Sequence, residues 1–319
     1  MRNLAFSLSL ALAWAICPNV SWAVEETVLH DGFDGSDFTP EGGLYYRENF
    51  EQSAGEVVFQ SKIIRSGEGA LQLSVRPLCP PHAEGCSERA EIWERTGLRV
   101  PYDKGVWYGF SMRFDDPVPV DDHRYVMAQW KREIGPEADG DFSPFLALRM
   151  RSGVMFATVE TNFVAPPPDA PRPEAGQCPA GWAAVWLRPE TRQMRVLVAR
   201  AESWSSNTGP EFDHCTDAVT INGPAFLPEA TAEWHDYAFY TLPGPNGGGM
   251  IHIVVDGASV VTVSGRIGHD DIGLGANQYF KFGPYRDAGE GKWSLYYDSF
   301  VRAPDCDKLL PADLCKGLE

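Results

Sequence analysis

Lys281, Gly283 and Tyr285 recur at every second position of Tyr279-Phe280-Lys281-Phe282-Gly283-Pro284-Tyr285-Arg286-Asp287. Successive side chains of a β-strand point to opposite faces, so an ammonium and a phenol would share one face while Phe280 and Phe282 turn inward. The glycine would leave open space between them, and a nearby ammonium favours the ionised form of a phenol, which suits a group that moves protons. A plain amphipathic strand is the competing account, although Lys-Gly-Tyr is an uncommon way to cover a surface. A second segment, Gln129-Trp130-Lys131, ends an apolar run and sets an amide and an ammonium on one face, with Trp130 toward the core. That pair could neutralise a bound carboxylate; alone, it is equally an ordinary strand end with a solvated lysine. The third is Ser87-Glu88-Arg89-Ala90-Glu91-Ile92-Trp93-Glu94. Here Arg89, Glu91 and Trp93 share a face and Glu88, Ile92 and Glu94 take the other. A carboxylate beside an arginine fixes its orientation, and an indole offers a plane for a sugar. The plainer reading is a charged sheet face with cross-strand pairs.

Strands must position these groups. Alternating apolar patterns predict strands at residues 57–59, 70–75, 105–114, 125–130, 145–150, 154–159, 237–240, 251–255, 260–263 and 296–301. Asp256-Gly257 between two apolar runs signals a hairpin. With 25 prolines, 31 glycines and no strand–helix alternation, the expected fold is all-β: a β-sandwich jelly roll of the concanavalin A-like kind, in a single domain over residues 24–303. Proline density at 165–180 forbids regular ladder pairing and predicts a surface insertion. Residues 304–319 read as a C-terminal tail.

Residues 1–23 read as a signal peptide: Arg2, an apolar stretch over 4–16, and Ser21-Trp22-Ala23 as the cleavage site. The stretch is too short to span a bilayer as a helix, so the expected location is secreted or periplasmic. Of seven cysteines, Cys17 would leave with the signal. The other six allow fifteen pairings; proximity favours Cys79–Cys86, Cys178–Cys215 and Cys306–Cys315, in keeping with an oxidising compartment. A formal charge of −17 argues against nucleic acid, whose partners carry a basic footprint. It does not exclude an acidic glycan, because a local basic cleft can focus an anion on an acidic protein. Asp115-Asp116, Asp121-Asp122 and Asp270-Asp271 could offer oxygen ligands to a structural Ca²⁺. No catalytic metal and no required cofactor are expected.

In order and number the three motifs resemble the strand signatures of jelly-roll polysaccharide lyases, which include alginate lyases, glucuronan lyases and the heparin lyase I family. Those signatures are Arg-x-Glu, Gln-x-His and Tyr-Phe-Lys-x-Gly-x-Tyr. The likeness is to the heparin lyase I-like and glucuronan lyase group, through Ser143-Pro144, Glu233-Trp234-His235-Asp236, Val255-Asp256-Gly257 and Tyr296-Tyr297-Asp298. The resemblance implies a lyase that cleaves a uronic-acid-containing glycan by β-elimination. It gives catalytic roles to Tyr285, Gln129, Lys131 and Arg89, and substrate-binding roles to Lys281, Glu91, Trp93, Arg149 and Arg286. The expected partner is an acidic polysaccharide, with no nucleic acid and no membrane, and the chain acts as a monomer.

One departure stands out: Lys131 occupies the position where family members generally have His. A lysine needs a strongly lowered pKa to act as a base near neutrality. Lys131 is then a desolvated base or a charge neutraliser, or His82, His123 or His214 supplies the ring, or the groove binds glycan without catalysis as a lectin-like module. A retaining glycoside hydrolase is a further alternative, since Glu91 and Glu94 superficially resemble a laminarinase-like carboxylate pair. Their spacing puts them on opposite faces unless a bulge intervenes.

Overall fold

The computed structural model describes residues 27–47, 53–80, 83, 85–140, 142–174 and 176–318; the expected signal peptide and His82 lie outside them. In chain order the strands are β1 (Leu29–Asp31), β2 (Leu44–Tyr46), β3 (Gly55–Gln60), β4 (Ala70–Val75), β5 (Ser87–Arg89), β6 (Ile92–Glu94) and β7 (Val100–Pro101). There follow β8 (Val106–Phe114), β9 (Tyr125–Ile134), β10 (Leu146–Arg151), β11 (Val154–Asn162), β12 (Ala183–Arg188), β13 (Gln193–Ala201) and β14 (His214–Thr216). The last are β15 (Val219–Asn222), β16 (Phe226–Leu227), β17 (His235–Leu242), β18 (Gly244–Val255), β19 (Ala258–Ile267), β20 (Leu274–Asp287) and β21 (Trp293–Ala303), with one short helix, α1 (Ala312–Leu318).

These strands form the expected jelly-roll sandwich. The back sheet has nine strands, ordered β15-β19-β18-β17-β8-β21-β4-β3 with β1 beside β21. The front sheet has twelve, ordered β14-β12-β13-β11-β10-β9-β20-β6-β2, with β5 and β7 also on β20 and β16 parallel to β13. Alternation explains the packing. Phe280, Phe282 and Trp130 point inward and are fully buried, meeting Phe239 and Tyr297 of the back sheet at ring-centroid distances of 4.5 Å (Trp130–Phe239) and 4.8 Å (Phe282–Tyr297). Each such aromatic contributes about 1.5–3 kcal/mol of burial. The same alternation leaves Gln129, Lys131 and Lys281 on the outer face of the front sheet.

Gly283 departs from the sequence reading. It lies in a register irregularity between Phe282 and Tyr285, at φ 124°. A Cβ there would collide with the Ala90 carbonyl and come within 2.9 Å of Leu73. Only glycine tolerates both that backbone and that approach. Gly283 is therefore not an opening between cation and phenol; it lets the β5–β6 connection close against β20, where Ala90 N–H donates to the Pro284 carbonyl at 2.8 Å.

The segment between β11 and β12 holds no strand beyond an isolated Glu174–Gln177 bridge. It connects two strands that both flank β13. All three expected disulfides form. The C-terminal segment does more than trail. Leu309, Leu310, Leu314 and Leu318 pack on Trp107, Ala238 and Val254, giving the outer face of the back sheet a small apolar cluster of its own. Among the described residues no helix is long and apolar enough to cross a membrane.

Candidate active site

Glu91 organises the outer face of the front sheet. It follows β5, is 1% exposed, and its Oε1 accepts a hydrogen bond from Gln129 Nε2 of β9. Lys281 Nζ of β20 donates to its Oε2 at 2.8 Å, and Arg89 Nη1 stands 3.8 Å away. The ladder explains the meeting, since Lys281 is the cross-strand partner of both Gln129 and Trp93. A carboxylate only accepts, so the nitrogen of the Gln129 amide must face Glu91. Burial lowers the Lys281 pKa to about 8, with Lys131 and Arg89 adding like charge and Glu91 opposing both.

Tyr285 sits one step along the same face, half-buried, opposite Arg89 on one side and Val126 on the other. The Arg89 guanidinium lies 4.2 Å from the centre of its ring. A second guanidinium, Arg124, lies 4.8 Å from that ring and donates from Nη2 to the phenol oxygen at 2.8 Å. Asp287 holds Arg124 at 2.5 Å. Arg124, rather than Lys281, is thus the cation bonded to the phenol. Sequence reasoning missed it because it stands just before β9 among loop residues. The signal is the pairing of Arg286 with Tyr125, which sets residue 124 beside residue 287.

Grooves open on both sides of Tyr285. One, of about 540 Å³, is lined by Arg47, Arg89, Trp93, Lys131, Tyr279 and Lys281. The other, of about 460 Å³, is lined by Arg124, Arg149, Trp186, Arg188 and Arg195 among others. On a chain with a formal charge of −17, this face is a basic strip.

Several expected residues are placed differently. Trp93 is 9% exposed, because it stacks on Tyr279 at 5.5 Å and is approached by Lys281 Nζ at 4.4 Å and Arg47 at 4.9 Å; little indole is left for a sugar. Arg286 is not brought to the groove. It is 1% exposed, donates to Glu88 at 2.7 Å, and binds the carbonyls of Gly289, Glu290 and Gly291. Arg149 is buried in the wall of the second groove, donating to Thr158 at 2.9 Å and Glu160 at 3.1 Å. His123 pairs with Asp121 and His214 with Asp213, and among the described residues no imidazole lines either groove. His269, buried and lowered in pKa by that burial, lies within electrostatic reach of Lys131 without lining them.

Glu94 is enclosed between the sheets, bonded by Arg302 at 2.7 Å and by the Phe280 N–H at 2.6 Å, with burial raising its pKa. Glu91 and Glu94 therefore occupy opposite sides of the sheet, and a hydrolase pair is not assembled. Of the acidic doublets, Asp121 accepts from Tyr125, Asp122 meets Arg151, and Asp271 accepts from Asn162. Among the described residues no group of three or more metal-ligating side chains occurs.

Residues 41–301 match the sequence model of a family described as polysaccharide lyase. No curated protein matches the chain by sequence. Among solved structures, an endo-β-1,4-glucuronan lyase from the fungus Trichoderma reesei superposes with a TM-score of 0.55 at 16% identity, over 86% of this chain and 94% of that one. The alginate lyase A1-II′, of polysaccharide lyase family 7, superposes with a TM-score of 0.40 at 11% identity, over 77% and 82%. At 16% identity the first likeness establishes a shared fold.

Proposed function

The chain belongs to the polysaccharide lyase family, and we propose that it cleaves a uronic-acid-containing glycan by β-elimination. The observation behind this reading is the buried Glu91, which holds an amide, an ammonium and a guanidinium beside a half-buried phenol. Elimination removes the C5 proton of a uronate, and that proton is weakly acidic while the adjacent carboxylate keeps its charge. Gln129, Arg89 and Lys131 meet the carboxylate and stabilise the charge that spreads into it as the proton leaves. The C5–H bond breaks, a C4–C5 double bond forms, and the C4–O4 bond opens. In its ionised form the Tyr285 oxygen takes the C5 proton, and the phenol so formed gives a proton to the departing O4. Arg124 occupies one acceptor position of the phenol oxygen, leaving the other side of that oxygen to the sugar.

Among the described residues no imidazole lines either groove; in this reading Lys131 acts as a charge neutraliser and Tyr285 moves the protons alone. We place the protein outside the cytoplasm, secreted or periplasmic, acting as a monomer on an acidic polysaccharide without a required cofactor. The test is the rise in ultraviolet absorbance from unsaturated uronate products across a panel of uronate polysaccharides. A rise that disappears in Tyr285→Phe supports the reading. A flat trace with one glycan still bound would replace it with the lectin-like alternative, and full turnover by folded Tyr285→Phe would overturn the role of Tyr285.

A further inference from the structure

Glu160 on β11 is fully buried and receives three guanidinium groups. Arg195 Nε of β13 donates at 2.7 Å, Arg149 Nη2 of β10 at 3.1 Å and Arg188 Nη1 at the end of β12 at 3.1 Å. Burial alone would raise the Glu160 pKa; Arg195, Arg149 and Arg188 outweigh it and lower it. Arginine does not give up its proton, so one carboxylate faces three cations and the cluster keeps an excess of two positive charges. One bidentate arginine would satisfy both oxygens of Glu160. The other two exceed what the fold needs.

Arg149 is enclosed, but the side chains of Arg188 and Arg195 are 17% and 11% exposed. Each commits one edge. Arg188 uses Nη1 on Glu160 and Ser143, and Arg195 uses Nε on Glu160. Both residues line the second groove. Both guanidinium carbons lie 5.0 Å from the centre of the Trp186 indole, and stacking of this kind fixes a guanidinium before any ligand arrives. Fixed donors, excess positive charge and a poorly hydrated floor make an anion site.

We propose that Arg188 and Arg195 bind a second anionic group of the substrate, a carboxylate or sulfate on a sugar other than the one cleaved. This rests on the elimination reading of the neighbouring groove. β13 lies three strands from Gln129 on β9 and four from Tyr285 on β20, and strands are spaced about 4.7–4.9 Å apart. One uronate cannot reach both Gln129 and Arg195. The glycan therefore runs across the strands and must be charged on more than one residue.

The test compares Arg188→Gln with Arg188→Lys on a short uronate oligosaccharide, a long one, a long one with its carboxyls reduced, and a sulfated uronan. Arg188→Gln leaves Arg149 and Arg195 on Glu160, and melting curves verify its fold. For Arg188→Gln, the ratio of kcat/KM on the long chain to that on the short chain falls roughly tenfold, the worth of one charge-assisted contact; Arg188→Lys recovers most of it. A loss confined to the sulfated chain assigns the anion as sulfate, and a loss on the carboxylated chain as carboxylate. Turnover is read on the charged chains and binding on the carboxyl-reduced one; an equal loss of binding to the carboxyl-reduced chain, or no change in the ratio, overturns the proposal. Direct binding of the same glycans separates this site from the reaction. If nothing is cleaved but Arg188→Gln weakens binding of the charged long chain, the anion site stands and the elimination reading falls.

Discussion

Glu91 and Glu160 both lie buried in the front sheet, each beside one of the two grooves, yet they hold different company. Glu91 holds an amide, an ammonium whose pKa has dropped to about 8, and an arginine at 3.8 Å. Glu160 holds three guanidinium groups, and an arginine keeps its proton across the range of an assay, even where burial lowers its pKa as at Arg149. The first cluster can redistribute protons and present a neutral N–H donor beside Tyr285. The second can only present charge. On the proposed reading, chemistry and grip are divided between two halves of one sheet, with Tyr285 and Arg124 where they meet.

Neutralising each carboxylate gives the sharpest test of that division. Glu91→Gln leaves one acceptor oxygen where Gln129 and Lys281 each had their own, and strands the buried Lys281 ammonium without its counter-charge. Expected is a fall in turnover of about 10²–10³, the scale of losing an oriented transition-state donor. Glu160→Gln leaves three guanidinium groups against a neutral amide. Breaking a buried ion cluster costs about 3–5 kcal/mol, so here the melting temperature falls first and turnover of short substrates falls less. Paired melting curves and kcat values on a short uronate read both. If the two variants lost turnover and stability in the same proportion, the division would be wrong.

Arg124 ranks next. A hydrogen bond to a charged group is worth about 1.5–3 kcal/mol, so Arg124→Met should lower kcat by about ten- to a hundredfold with a smaller change in KM. Added guanidinium should restore part of the loss, which a purely structural role for Arg124 would not allow. Asp287→Asn, which loosens the partner of Arg124 without touching Tyr285, should fall between wild type and Arg124→Met.

The two halves also differ in how far sequence could foretell them. Arg89, Glu91, Gln129, Lys281 and Tyr285 sit in short alternating runs, and alternation alone put them on one outward face with Phe280, Trp130 and Phe282 behind. Gly283 broke that rule, because a register irregularity cannot be read from spacing and its φ of 124° turns the residue off the face. Trp93 was assigned to substrate because strand arithmetic shows a face but not what already covers it; Arg286 falls on the same alternation as Phe280 and Phe282, so only the resemblance carried it to the groove. The far half was hidden for another reason. Between residues 159 and 237 the pattern predicted no strand, yet β12 to β16 lie there. Arg188 and Arg195 interrupt the apolar runs of β12 and β13 as solvated residues would, and the proline-rich excursion precedes them. Glu160 joins Arg149, Arg188 and Arg195 through four strands, and no local motif contains them.

Lys281 offers the finest test, since its pKa of about 8 lies within reach of an assay. Below that pH the ammonium balances Glu91; as pH climbs through it, the proton leaves, Glu91 keeps its charge, and the groove repels a uronate more strongly. KM should rise several-fold between pH 7 and pH 9, the scale of one charge in a partly solvated cleft. Stability should move the other way. The folded pKa lies below the unfolded value of about 10.4, so between about pH 8 and 10 the unfolded chain binds more protons, and the Lys281 contribution to stability rises with pH. Lys281→Met removes the titrating group and should flatten both trends relative to wild type. Glu160 gives the contrast on the acid side: its folded pKa is lowered, so its contribution is full above the unfolded carboxylate value and is lost as pH falls through the folded one. An alkaline rise in KM that persisted in Lys281→Met would assign the titration to another group and leave the Glu91 cluster as fixed in charge as its counterpart at Glu160.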